Sequence, residues 1–196
     1  YEENIFNLRC KPYMRNSPNN HKLFSNIPKS KNLYTSSKSN IIKIVSGDDF
    51  LKQVKKKHRY YIKQSEKSGL IWKVCQGSDT AKIFKIVYDE MKNNKNLNLP
   101  IIDIDDFSKI LGYDNNENPR LFTYAGFMNN TPVSVCLISI LDEKAFYHYA
   151  ASTERGRELS ASYGMIYNLI QELKRLSIGE LDFGGISSDE SSAGVD

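Results

Sequence analysis

The sequence predicts an α/β fold in which a mixed β-sheet is flanked by helices. The main observation is a strand, a helix and a strand between Ala145 and Gly185, a spacing typical of a βαβ crossover between parallel strands. Predicted strands on both sides of Asn129-Asn130, and a further strand after a turn at Asp142, add an antiparallel meander. Mixed strand directions with intervening helices indicate a domain with a core of its own.

The first half of the chain alternates strands and helices after an irregular lead-in, residues 1–40, rich in Asn, Ser, Lys and Pro. Hydrophobic residues recur at strand or helix spacing through this half. The predicted elements are a strand at Asn40–Val45, a turn at Gly47–Asp49, a helix from Phe50, a second helix ended by Gly69, a strand at Leu70–Cys75, a helix from Ser78 to about Asn94, and a short helix at Asp103–Leu111. We therefore expect one domain over residues 41–196.

The second half carries the meander and the crossover. Asn129 and Asn130 tolerate positive φ angles and suit a hairpin turn. The predicted elements are strands at Arg120–Met128, Pro132–Leu141 and Ala145–Ala150, a Ser/Thr- and charge-rich connector at Ser152–Glu158, a helix at about Leu159–Leu176, a turn at Ile178–Gly179, and a strand at Glu180–Phe183.

Composition limits the classes of function. The chain has 196 residues, a hydrophobic fraction of 40% and a net charge of +4, which is typical of a globular domain and permits an anionic partner. Cys10, Cys75 and Cys136 lack metal-ligand spacing, and we expect Cys75 and Cys136 to be buried reduced thiols.

No apolar run reaches the length of a membrane span, so we expect no transmembrane segment and a cytoplasmic protein. Because the chain opens on Tyr1 and closes soon after a glycine, we expect a piece of a longer protein.

Two stretches can face an anionic ligand. Ser160, Ala161, Ser162 and Gly164 stand where the crossover helix begins, so backbone N–H groups there are accessible to an anion. The second stretch is the basic run Lys55–Lys63, which either forms a solvated helix face or turns Arg59 or Lys63 toward a ligand. Tyrosines within this run also suit stacking on RNA bases.

The run Tyr-His-Tyr-Ala-Ala-Ser (147–152), the small-residue helix start and Leu-Asp-Phe-Gly-Gly-Ile (181–186) resemble the C-terminal half of the Fem-type aminoacyltransferases. The segment Arg59–Leu70 is similar to a second Fem-type pattern: an Arg, an Ile and a basic residue, then a small residue, Lys and Gly before a strand. The resemblance spans roughly 41–196. It implies a GNAT-like fold and an enzyme of peptidoglycan biosynthesis that acts in cell-wall biogenesis and cell shape.

The resemblance also implies a reaction: transfer of an amino acid from aminoacyl-tRNA to the stem-peptide amine of a peptidoglycan precursor of the lipid II type. No cofactor and no metal are implied, and peripheral contact with the inner membrane surface is compatible with such a substrate. The family's Phe-Lys pair, which follows the Gly-Gly segment, falls beyond Asp196. The candidate residues are Asp182 and Tyr149 for catalysis, and Arg59, Lys63, Tyr147, Arg157, Ser160, Ser162, Gly184 and Gly185 for substrate binding.

Alternatives remain open for the donor and for single residues. Acyl-CoA enzymes of this fold carry glycines in a loop where this chain has Ser160 and Ser162, although Arg157 fits that loop. The main alternative is therefore an acyl-CoA-dependent N-acyltransferase acting on a sugar amine or small metabolite. Another alternative is a non-catalytic protein that binds RNA or a cell-wall precursor. Asp182 either orients a substrate or caps the Gly184-Gly185 amides, and His148 is either a general base or a packed or surface residue. Strict alternation along the strand predicts that Tyr147 and Tyr149 share one face of the sheet and that His148 lies on the other.

Overall fold

A computed structural model describes residues 39–44, 50–95 and 120–185, together with Pro18. The described strands and helices belong to one compact unit, Lys38–Ile186. In chain order they are β1 (Ser39–Lys43), α1 (Phe50–Gln53), α2 (Lys56–Lys67), β2 (Ile71–Cys75), α3 (Ser78–Lys95), β3 (Leu121–Met128), β4 (Thr131–Leu141), β5 (Lys144–Ser152), α4 (Glu154–Glu158), α5 (Ala161–Arg175) and β6 (Glu180–Gly185).

Some predicted elements lie outside the described residues. They are the turn at Gly47–Asp49, the helix at Asp103–Leu111 and the lead-in up to Lys38 apart from Pro18. The domain boundary predicted near residue 41 stays a prediction. The other predicted strands and helices are present, with ends that differ by a few residues.

The six strands form one mixed sheet in the order β1-β6-β5-β4-β3-β2. Strands β2 to β5 are antiparallel neighbours, and β6 pairs antiparallel with β1. Only β5 and β6 run parallel, with Ala145 paired to Leu181. The predicted meander and the predicted crossover are both confirmed, because a parallel pair joined through α5 is a βαβ unit.

A hydrophobic core covers each face of the sheet. On one face, α5 packs Met165, Leu169 and Leu173 against the side chains of the central strands. On the other face, α3 packs Phe84 and Val87 in the same way, and both side chains have no exposed surface. Alternation of side chains along β3 and β4 supplies both cores, as expected for a sheet that is buried on two sides.

The turns follow from residues that tolerate a left-handed backbone. Asn129 and Asn130 have φ angles of 49° and 64°, which confirms the predicted hairpin between β3 and β4. Gly69 has φ of 73° and ends α2 as predicted. The predicted connector at Ser152–Glu158 differs from the structure, which contains the short helix α4 there. Thr153 explains this helix, since its hydroxyl oxygen accepts a hydrogen bond from the Gly156 N–H at 3.0 Å.

The predicted thiol environment is confirmed for Cys75 and Cys136, which are both buried and unpaired. Burial raises the pKa of the Cys75 thiol to about 11, with a smaller contribution from Asp79. Among the described residues, no helix is long and apolar enough to cross a membrane.

Candidate active site: a split between two parallel strands

Strands β5 and β6 separate after a short stretch of parallel pairing. The paired residues are Lys144 with Glu180, Ala145 with Leu181, and Phe146 with Asp182. Beyond Phe146, β5 continues to Ser152 and pairs with β4 alone, whereas β6 continues as the partner of β1. One edge of β5 therefore has backbone groups with no strand partner among the described residues. Such an edge can bind an extended substrate by backbone hydrogen bonds.

A β-bulge lies in β5 where the split begins. Leu137 of β4 pairs with Tyr149, and the next residue, Ile138, pairs with Tyr147, so His148 is an extra residue in β5. Since directly paired residues point to the same face, Tyr147 points to the α5 face and Tyr149 to the α3 face. Strict alternation along the strand predicts that the two tyrosines share a face. That prediction is wrong, because the bulge reverses the alternation.

Tyr147 lies at the apex of the split. Its ring is half-buried and lies against Phe183 of β6, with 5.2 Å between the ring centroids. Burial raises the pKa of the Tyr147 hydroxyl well above its ordinary value. The hydroxyl therefore stays protonated at neutral pH and can donate a hydrogen bond to a substrate.

Asp182 and Gly184 form a local turn on β6. The buried Asp182 carboxylate accepts a hydrogen bond from the Gly184 N–H at 2.7 Å. Gly184 has φ of 83°, a conformation that favours glycine. In the structure, Asp182 thus caps the backbone amide of Gly184, which is one of the two roles predicted for it. Gly185 ends β6 in a pair with Ser39.

The junction of α4 and α5 follows directly after β5. Arg157 is exposed, and its Nη1 atom donates to the carbonyl of Ser152 at 3.0 Å. Ser160 has φ of 52° and precedes α5 without a side-chain cap. The N–H groups of Ala161 and Ser162 lie in the first turn of α5 and have no acceptor within that helix. Free first-turn N–H groups at the positive end of a helix dipole favour an anion or a developing oxyanion.

The residues predicted on α2 differ in their environments. Arg59 is half-buried and donates to the carbonyl of Leu51 at 3.4 Å, whereas Lys63 is exposed. At least one of these two residues was expected to turn inward, and Arg59 does so. Helix α2 packs along α5, where the Ser65 side chain lies against Gly164.

His148 makes a short hydrogen bond on the α3 face. Its Nε2 atom lies 2.6 Å from the hydroxyl oxygen of Ser139, on the neighbouring strand β4. Desolvation by surrounding protein atoms lowers the pKa of the His148 imidazole, although the residue is exposed as a whole. A neutral imidazole at the bulge can accept a proton. Tyr149, also on this face, is 37% exposed.

The structure brings the predicted residues together in two groups. Tyr147, Asp182 and Gly184 lie at the start of the split, and Arg157, Ser160 and Ser162 lie at the α4–α5 junction. Sequence reasoning missed the contact of His148 with Ser139 and the stacking of Tyr61 on Tyr163, with ring centroids 4.8 Å apart. The first contact crosses the hairpin between β4 and β5, and the second joins α2 to α5, which are far apart in the chain. Among the described residues, no group of three His, Cys, Asp or Glu side chains could hold a metal ion.

No protein-family model and no curated protein sequence matches the chain. Solved structures do resemble it. The crystal structure of FemX matches with a TM-score of 0.63 at 14% identity, over 79% of this chain and 55% of FemX. L-PGS from Bacillus licheniformis matches with a TM-score of 0.55 at 13% identity, over 82% of this chain and 49% of L-PGS.

A third structure is the C-terminal domain of a protein assigned as a lysylphosphatidylglycerol synthetase from Agrobacterium fabrum. It matches with a TM-score of 0.55 at 11% identity, over 75% of this chain and 46% of that protein. The chain thus spans about half the length of the proteins it resembles. At these identities the likeness concerns the fold, and the fold is GNAT-like: a mixed sheet flanked by helices, with a split between two parallel strands.

Proposed function

We propose that this chain is the GNAT-like domain of a FemAB-type aminoacyltransferase. It transfers an amino acid from aminoacyl-tRNA to the stem-peptide amine of a peptidoglycan precursor of the lipid II type. The observation that carries the proposal is the split between β5 and β6, which lies next to the start of α5, where the first-turn N–H groups have no acceptor within the helix. A donor of this kind would place the reaction in the cytoplasm, with the precursor reached at the inner membrane surface.

The reaction exchanges an ester for an amide. The acceptor amine attacks the ester carbonyl carbon of the aminoacyl group, a C–N bond forms, and the C–O bond to the terminal ribose of the tRNA breaks. The amine loses a proton, and the departing ribose oxygen gains one to leave as a hydroxyl. Because an aminoacyl ester is already activated, holding both reactants in place and stabilising the oxyanion can carry the step.

The residues at the split suit these tasks. The edge of β5 beyond its short pairing with β6 can hold an extended peptide by backbone hydrogen bonds. The protonated Tyr147 hydroxyl can donate to a carbonyl oxygen. The first-turn N–H groups of α5, at Ala161 and Ser162, lie at the positive end of the helix dipole and can stabilise a negatively charged oxygen of the carbonyl or of a phosphate. Asp182 shapes this site through its bond to Gly184.

Two observations support aminoacyl-tRNA as the donor. Ser160 and Ser162 replace the glycines that acyl-CoA enzymes of this fold use around phosphates. The solved structures with TM-scores above 0.5 include FemX, L-PGS and the domain assigned to a lysylphosphatidylglycerol synthetase.

The test is calorimetric titration of the purified chain with charged tRNA, uncharged tRNA and acetyl-CoA. We expect charged tRNA to bind with an affinity that falls steeply with salt, and acetyl-CoA to give no heat. Micromolar binding of acetyl-CoA would refute the tRNA donor in favour of the acyl-CoA alternative.

A second assay measures transfer of a radiolabelled amino acid from tRNA to a lipid II analogue. Tyr147→Phe removes the hydroxyl and keeps the ring against Phe183, so it should lower the transfer rate without loss of fold. The fold is checked by circular dichroism. An unchanged rate would show that the Tyr147 hydroxyl has no part in the reaction.

A further inference from the structure

Helix α2 presents an exposed aromatic ring that is held in a fixed orientation. Tyr60 is 58% exposed. Its ring meets the Tyr61 ring edge-on, with centroids 5.4 Å apart and an interplanar angle of 72°. The side-chain amide of Gln64 donates to the Tyr60 hydroxyl oxygen at 2.6 Å. A ring fixed in this way offers an open face for stacking with little loss of side-chain entropy.

Three lysines surround this ring on the same helix face. Lys56, Lys57 and Lys63 stand four residues before, three before and three after Tyr60, which are the neighbouring positions on a helix surface. All three are exposed, and none forms an ion pair with another described residue. We call the five residues Lys56, Lys57, Tyr60, Lys63 and Gln64 the lysine–tyrosine surface.

The charge distribution of α2 is unfavourable for the helix itself. Lys56 and Lys57 lie in its first turn, where no acidic residue is present, and Lys55 at the N-cap provides no side-chain cap. Positive charges at the positive end of a helix dipole destabilise the helix. A bound anion would relieve this repulsion, so the pattern is typical of a surface that binds an anionic partner.

A row of rings connects the lysine–tyrosine surface to the candidate active site. Tyr61 stacks on Tyr163, with an interplanar angle of 24°, and His58 lies 5.5 Å from the same ring. Tyr163 lies in the first turn of α5, directly after Ala161 and Ser162. A polymer bound along α2 can therefore reach the start of α5.

The chemistry of the surface favours single-stranded nucleic acid over a lipid bilayer. Aromatic faces that stack bases, together with lysines that contact phosphates, form the usual single-strand interface. A helix lying on a membrane exposes several large apolar side chains on one face. In the described part of α2, Tyr60 is the only exposed large apolar residue.

We infer that the lysine–tyrosine surface binds the single-stranded 3′ end of the donor RNA, with a base stacked on Tyr60 and phosphates at Lys57 and Lys63. This inference rests on the proposed function for the identity of the RNA. It assigns α2 to donor recognition and leaves the split between β5 and β6 to the acceptor and the reaction.

The test measures fluorescence anisotropy of a labelled RNA hairpin with a short single-stranded 3′ extension, titrated with the full chain. Stacking on a base is worth about 1–3 kcal/mol, so Tyr60→Ala should weaken binding about 5- to 150-fold. Tyr60→Phe keeps the ring and should bind within about threefold of the unmodified chain. The same hairpin with a blunt end should bind the unmodified chain weakly and be insensitive to Tyr60→Ala.

The lysines are tested with a charge-matched control. Lys57→Gln with Lys63→Gln should lower the slope of log affinity against log salt by about 1.4, since each phosphate contact to a single strand contributes about 0.7. Lys82→Gln with Lys85→Gln removes the same charge from exposed positions on α3 and should change the slope little. An equal effect of both pairs would refute the inference, because it would show attraction by net charge alone.

The outcomes separate this inference from the proposed function. If transfer from charged tRNA proceeds and Tyr60→Ala leaves its KM unchanged, the lysine–tyrosine surface does not bind the donor. If the RNA binds through Tyr60 but no transfer occurs, the inference holds and the proposed reaction fails. Loss of binding to anionic vesicles in Tyr60→Ala, with RNA binding intact, would refute the inference in favour of a membrane contact.

Discussion

Replacing Gly164 by Ala places a methyl group in the contact between α5 and α2. A Cβ atom at this position would overlap the Oγ and Cβ atoms of Ser65 and crowd the ring of Trp72. The Ser65 hydroxyl is buried and has no hydrogen-bond partner among the protein atoms that the structure describes. The close approach of the two helices thus depends on the missing side chain of Gly164.

Two opposing effects set the size of the change. An alanine within a helix is about 1 kcal/mol more favourable than a glycine. Extra atoms in a packed contact cost about 1–3 kcal/mol, and the upper part of this range applies because the Ser65 atoms lie close to the backbone and cannot swing away. We therefore expect Gly164→Ala to lower the free energy of unfolding by about 1–2 kcal/mol.

Urea denaturation provides the measurement. Trp72 is the only tryptophan of the chain, and its ring lies next to Gly164, so its fluorescence reports both local packing and unfolding. Gln171→Ala, at an exposed position of the same helix, is the control for changes in helix propensity. In a Ser65→Gly background the overlap with Ser65 is absent and only the close contact with the Trp72 ring remains, so the loss of stability caused by Gly164→Ala should be smaller.

Two results would contradict this reasoning. If Gly164→Ala is as stable as the unmodified chain in both backgrounds, the helices do not depend on this contact. If the effect is equal in the two backgrounds, Ser65 is not the residue that the methyl group meets.

Three further changes have defined outcomes. Gly156→Ala would place a Cβ atom on the carbonyl oxygen of Val133, a backbone atom that cannot move aside. We expect the free energy of unfolding to fall by about 2–3 kcal/mol and the Tm in thermal denaturation to be lower. An unchanged Tm would contradict this expectation. Burial raises the pKa of the Cys75 thiol from 9.0 to about 11, so the free energy of unfolding should decrease as the pH rises through this interval. In Cys75→Ala this decrease should be smaller. Because desolvation lowers the pKa of the His148 imidazole below 6.5, the free energy of unfolding should decrease as the pH falls below 6.5. If His148→Gln still shows the full decrease, another group causes it.

Local patterns in the sequence were sufficient to predict most of the secondary structure. The apolar spacing of α3, the Asn129-Asn130 hairpin and the glycine end of α2 all depend on residues near one another in the chain. Such features follow from helix and strand periodicity and from residues that tolerate positive φ. The length of the crossover also predicted the parallel pair of β5 and β6, since a parallel connection needs a helix of this size.

The arrangement of the candidate site was decided by contacts between distant residues. The bulge at His148 arises from the register of β5 against β4, and this register moved Tyr149 to the face opposite Tyr147. The ring row of Tyr60, Tyr61 and Tyr163 requires α2 to pack on α5, and no local pattern encodes that contact. The sequence determined by itself most of the strands and helices, because propensity and periodicity act over a few residues. Only the tertiary structure decided which side chains meet at the split, because register and helix packing are set by the whole core.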